Sequence, residues 1–232
     1  MMDPKERLKT AGISMASDLK LQTFGRDKES DKTVADMKTV QAIISDWNAM
    51  SKKSANLTIE QYGLPNEATP SRLVWYNNGP WKRTIIYRDE IPHDFPQPHT
   101  DVIENVIDYR VPPEMFSEVA KFDGSVIVER TAGEVSSRCD MEAANIVALN
   151  FMHDIVTGKL NAEKAREDLS EINTSYLMNK SAPYAEALQF SVAAEDTNDT
   201  DHVTVEDEII KQGIEKVNDV MKGDKDRRGD DT

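Results

Sequence analysis

The chain has 232 residues with 42 acidic against 28 basic side chains, a formal charge of −14 and a pI near 4.8. That balance repels polyanions, so nucleic-acid binding and attachment to an anionic membrane are excluded from the expected functions. A single cysteine, Cys139, rules out an internal disulfide and a Cys-rich zinc site, and no apolar run is long enough for a bilayer span or a secretory signal, so a soluble, cytoplasmic protein is expected.

Residues 1–33 are mostly polar and their apolar side chains keep no sustained period, which predicts a flexible N-terminal arm. From there Val34, Met37, Val40, Ile44, Trp47 and Met50 follow helical spacing, and this face is expected to dock on a sheet. A second, short helix over residues 57–62 should end at Gly63, with Pro65 following. Residues 72–88 contain two runs rich in β-branched and aromatic residues around Asn77-Asn78-Gly79-Pro80, which predicts a β-hairpin. In its first strand Leu73 and Trp75 face one way and Val74 and Tyr76 the other. Pro92, Pro96 and Pro98 predict an extended connector, and residues 102–111 fit helix or strand, with strand favoured toward the end.

Pro112-Pro113 opens a short helix to Phe122, and a second hairpin pairs residues 125–130 with 135–139. Asp140 is then expected to cap the most apolar helix, residues 141–157, stopped by Gly158. Asn161 caps a further amphipathic helix carrying Ala165, Leu169 and Ile172. From Glu195 onward thirteen acidic and six basic residues predict a tail disordered over residues 195–201, with an amphipathic helix at about 205–221. The whole reads as α+β: an antiparallel sheet of two hairpins packed on several helices, one domain over residues 34–192, and an acidic tail over 193–232.

Candidate chemistry concentrates in residues 92–101, where His93, Asp94, His99 and Asp101 could serve as a metal site or as an acid–base group. If the prolines hold polyproline II, the two histidines, the candidate metal ligands, stand roughly 19 Å apart, too far for one ion unless the chain turns at Pro96. A ligand-binding alternative uses Trp81, Lys82 and Arg83 at the mouth of the first hairpin, with Trp75, Tyr87 and Arg138 on the strands. The competing expectation is that these cations pair with the abundant acids in a solvated ladder, whereas a buried Arg138 facing Glu129 would point to a functional site. Cys139 reads as a small buried residue whose nearest histidine in sequence is His153, and His153 reads as a core-edge group. No P-loop, Gly-x-Ser-x-Gly, His-Glu-x-x-His or EF-hand pattern occurs.

The order of two helices, Tyr62-Gly63-x-Pro65 and two hairpin strands resembles the helix–helix–sheet units of BamE-like (SmpA/OmlA) and β-lactamase-inhibitor-protein-like modules. Over about residues 34–110 that resemblance implies a binding or scaffold module, and it carries no site residue across. The leading expectation is therefore an accessory protein that binds a small molecule or a protein, with a C-terminal helix that docks on its own domain, on a second copy in self-association, or on another protein. The competing expectation is a metal-dependent or acid–base enzyme centred on His93 and His99. The cofactor is unknown from sequence.

Overall fold

The computed structural model describes residues 3–24, 33–193, 196–198, 201–205, 212, 215 and 216. The chain divides into two units, Met1–Lys28 with Thr200–Thr232, and Glu29–Asp199. The first carries helix α1, Pro4–Phe24, where the sequence suggested an unordered arm. Its residues are mostly fair helix formers but present no apolar stripe: Ile13, Met15, Leu19 and Leu21 are all exposed. Period alone could not detect such a helix. Nearly all of the tail helix expected at 205–221 lies outside the described residues. No helix among the described residues is long and apolar enough to cross a membrane.

The second unit opens with α2 (Met37–Ile44) and α3 (Ala49–Tyr62). One continuous stripe was expected through Met50, but the chain breaks after Ile44, and residues 57–62 form the end of α3 rather than a separate helix. Asp36 caps α2 by accepting the Thr39 N–H, and Gly63 ends α3 at φ 82°, a left-handed conformation that costs glycine little. Strands β1 (Glu67–Thr69), β2 (Arg72–Asn78), β3 (Trp81–His93), β4 (His99–Asp108), β5 (Val126–Glu129) and β6 (Glu134–Cys139) form an antiparallel sheet in the order β1-β2-β3-β4-β6-β5. The connecting helices are α4 (Phe116–Phe122), α5 (Glu142–Val156), α6 (Ala162–Leu177) and α7 (Pro183–Glu186). The fold is α+β.

Strand register decides which side chains meet the helices. Leu73 and Trp75 on β2 share a face with Ile86, Ile103, Ile107 and Val135, and this face supplies both cores. One core gathers Val40, Ile44, Trp47 and Ala55 of the α2–α3 region over β2 to β4. The other gathers Val119 and Phe122 of α4 with Leu149, Phe151 and Met152 of α5. A buried polar chain lies on the same face: Asn145 donates to Asn105, while Asn105 and Asn78 both donate to Thr84 Oγ1. Asp140 does not cap α5; Met141 holds that position, and the Asp140 carboxylate instead meets Cys139 Sγ at 3.5 Å.

Strand β3 is distorted between Ile86 and Ile91, where its pairing with β4 shifts register. Within that distortion Glu90 Oε1 accepts the Met50 and Ser51 N–H groups, so a carboxylate from the sheet caps the first turn of α3. Residues 196–198, expected to be disordered, are held in place. Arg110 donates to the carbonyls of Asp196, Thr197 and Asn198, and the buried Thr197 donates its hydroxyl to Gly133 O at 2.7 Å. A Cβ on Gly133 would stand 1.9 Å from Thr197 O, and Gly133 sits at φ 63°. Gly133→Ala is therefore expected to lose about 1–2 kcal/mol from the left-handed backbone alone and to free residues 196–198. Urea unfolding together with limited proteolysis beyond residue 192 would check both effects.

Candidate functional site

The prolines of residues 92–98 do not hold the chain extended. β3 runs to His93 and β4 starts at His99, the chain reverses over residues 94–98 with a cis Phe95–Pro96 bond, and His93 pairs directly with His99 across the ladder. Pro92 lies in the stretch of β3 that has passed the end of its pairing with β2 and is laddered to β4, an edge position of the kind that tolerates proline. The separation of roughly 19 Å expected for an extended polyproline segment is thus replaced by ring centroids 4.9 Å apart. His99 and Asp101 sit two residues apart on one strand face, the face turned toward the helices, and so share it with His93.

Three donor atoms converge there. Among the described residues, ligand atoms of His93, His99 and Asp101 all lie within 4.8 Å of one another. Asp101 Oδ1 is 3.1 Å from His99 Nε2 and 3.7 Å from His93 Nδ1. Two ligands at about 2.0–2.2 Å from one metal ion stand roughly 3–4.4 Å apart, and both distances fall in that range. Asp101 is 6 % exposed, and its Oδ1 accepts no aligned hydrogen bond but faces both imidazoles as an ion-pair partner, His99 being the nearer. Its Oδ2 is occupied by the Ser125 hydroxyl, and His99 Nδ1 is engaged with Gln97 O at 2.8 Å. These outer contacts aim Oδ1 and Nε2 at a common point.

The surroundings come from elsewhere in the chain. Asp123 and Ser125, in the turn between α4 and β5, approach His93: Asp123 Oδ1 lies 3.7 Å from Nε2 and Ser125 Oγ 3.2 Å from Nδ1. Cys139, at the end of β6, places Sγ 3.4 Å from His99 Nε2, so its histidine neighbour is His99 and not His153. The Asp101 carboxylate, and after it the Cys139 thiol, hold His99 protonated up to about 11. Burial pushes the Asp123 carboxyl and the Cys139 thiol above their ordinary ranges, and His99 partly offsets the latter. The cluster opens on a pocket, part of it open to solvent, walled by Phe95, Ala144, Val147, Ala148, Leu169 and Leu177.

The other candidates lie elsewhere or are engaged. Asp94 is exposed in the turn, outside the cluster. Trp75 is a core residue whose indole donates to Gly63 O, and Trp81 is likewise buried in the core. Lys82 bridges Asp108 and Glu134, and Arg83 forms a two-pronged pair with Glu134. Tyr87 donates to Glu104 at 2.6 Å. Arg138 pairs with Glu104 at 3.0 Å rather than with Glu129, because β6 lies between β5 and β4 and Glu104 is its register partner; it also lines the pocket. His153 stays at the core edge, stacked on Phe190 and bonded to the Tyr109 hydroxyl. The residues that sequence reasoning missed are Asp123, Ser125 and the role of Cys139. Nothing local singles them out beyond an Asp-Gly-Ser turn, because tertiary packing brings them to the histidines.

Comparison with protein-family models, with characterised proteins and with solved structures finds no match for the chain. The likeness to BamE-like and β-lactamase-inhibitor-protein-like modules therefore rests on the order of elements and the Gly-x-Pro alone, and it assigns nothing at this site.

Proposed function

We propose that this protein is a metal-dependent enzyme acting on a small molecule, with His93, His99 and Asp101 as the protein ligands. The observation that carries the reading is the convergence of His93, His99 and the buried Asp101, whose Oδ1 stands 3.1 Å from His99 Nε2 and 3.7 Å from His93 Nδ1, with both imidazoles lining a pocket. Two histidines and one carboxylate suit zinc or iron(II), and three protein ligands leave coordination positions for water and substrate. Bound there, such an ion acts as a Lewis acid and lowers the pKa of its water, the chemistry of assisted hydrolysis. Gln97 and Ser125 fix the orientation of the ligating groups, and the apolar wall limits water around the substrate. The free thiol of Cys139 beside the cluster fits a reducing, cytoplasmic setting. A metal-free small-molecule carrier is the rival reading, in which the His99–Asp101 ion pair completes the site by itself.

Titration of metal-stripped protein with zinc, manganese and iron(II) separates the two. About one equivalent of zinc or iron is expected to bind and to raise the melting temperature. His99→Ala should weaken binding by more than about 100-fold, whereas Asp94→Ala should bind as the parent does. Less than about a tenth of an equivalent of every metal, with no melting shift, would leave the carrier reading standing.

A further inference from the structure

We infer that the pocket selects an uncharged acyl compound, an ester or amide with a short apolar body, over a phosphate or dicarboxylate. This rests on the metal reading above. Charge supplies the first argument. The pocket lining includes Asp123 and Asp140, and Asp101 is bound to Ser125 beside them. Three carboxylates around a divalent ion leave no positive charge over for an anionic ligand.

The nearby cations do not make up the difference. Arg138, which also lines the pocket, is paired with Glu104 and stacked 4.9 Å over the Tyr87 ring. Arg166 donates to Phe122 O and lies 3.6 Å over the Phe95 ring. An anion would thus meet carboxylates before it met an available guanidinium, whereas a carbonyl oxygen needs only the open metal position.

The second argument is the wall. Ala144, Val147 and Ala148 present the early turns of α5, and Leu169 and Leu177 add the facing side of α6, with Phe95 closing from the turn. Apolar walls with a few convergent polar groups at one end are the usual form of a small-molecule site. Gln97, Ser137 and Asn173 are neutral polar residues of this lining able to bond an amide or ester. The small side chains of Ala144 and Ala148 leave the room that an acyl chain takes.

Straight-chain primary carboxamides, which stay uncharged when their carbonyl oxygen meets a zinc ion, are the probe. Calorimetry of zinc-loaded protein with a series from acetamide to octanamide should give affinity rising about fourfold per methylene until the pocket fills. Inorganic phosphate and succinate should not displace them. Ala144→Phe should bind zinc like the parent and flatten the series. If that variant melts early, Leu177→Asp, at an exposed rim position, should flatten the series in the same way. A series independent of chain length on zinc-loaded parent protein, or displacement by phosphate or succinate, overturns the inference while leaving the metal site intact. Failure to bind zinc or iron(II) at all overturns both.

Discussion

Phe122→Ala is expected to destabilise the protein by about 3–5 kcal/mol, the usual cost of emptying a fully buried aromatic site. Phe122 is entirely buried, closes α4, and packs edge-on against Phe95 and obliquely on Phe151 of α5. Its carbonyl takes the Arg166 guanidinium, which in turn covers Phe95. Removing the ring therefore undercuts the turn that joins His93 to His99 and the segment that presents Asp123. Urea unfolding should report the lost stability. Below the unfolding transition, zinc affinity should also fall, although no ligand has been touched. Phe122→Leu, which keeps most of the volume, should cost less than about 1.5 kcal/mol and bind metal nearly as the parent does.

Glu104→Ala should be comparably costly, about 3–5 kcal/mol, because it removes the carboxylate that a guanidinium and two hydroxyls share. The Glu104 carboxylate is buried on β4 and accepts from the Tyr87 hydroxyl, the Ser136 hydroxyl and Arg138 Nε. These donors come from the two strands flanking β4, so the carboxylate ties β3 to β6 across the middle of the sheet. The Tyr87 hydroxyl is raised to about 12 by burial first and by Glu104 second. Losing the carboxylate removes the second contribution, so Tyr87 should ionise at lower pH in the variant. The difference between parent and variant phenolate absorbance on alkaline titration isolates this tyrosine from the other five. An unchanged titration, or a cost under about 1 kcal/mol, typical of exposed ion pairs, would mean that the cluster behaves as a solvated surface ladder.

What the sequence made legible follows from which interactions are local. The two hairpins, the stop at Gly63 and the apolar α5 all announce themselves within a few residues, through turn chemistry and period. Helix α1 stayed hidden because its apolar residues gather on no single face, so periodicity had nothing to register. The residue types of the candidate site were readable in residues 92–101, but its geometry was not. Whether Pro96 extends or reverses the chain is decided by strand pairing, as the match of His93 to His99 makes plain. Asp123 and Ser125 arrive from one turn and Cys139 from a strand end, both distant in sequence from the histidines, which no local pattern encodes.

The cap that Glu90 places on α3 bears on all of this. Side chains on a strand alternate sides, so a slip of a single residue in the distal half of β3 would carry His93 to the opposite surface of the sheet. The ladder alone does not forbid such a slip, because the pairing has already changed register once before Ile91. A carboxylate seated on the Met50 and Ser51 amides pins that half of the strand to a helix outside the sheet. The alignment of the histidine pair is thereby indexed by an anchor three residues upstream of His93, and α3 becomes a distant guarantor of where that imidazole points.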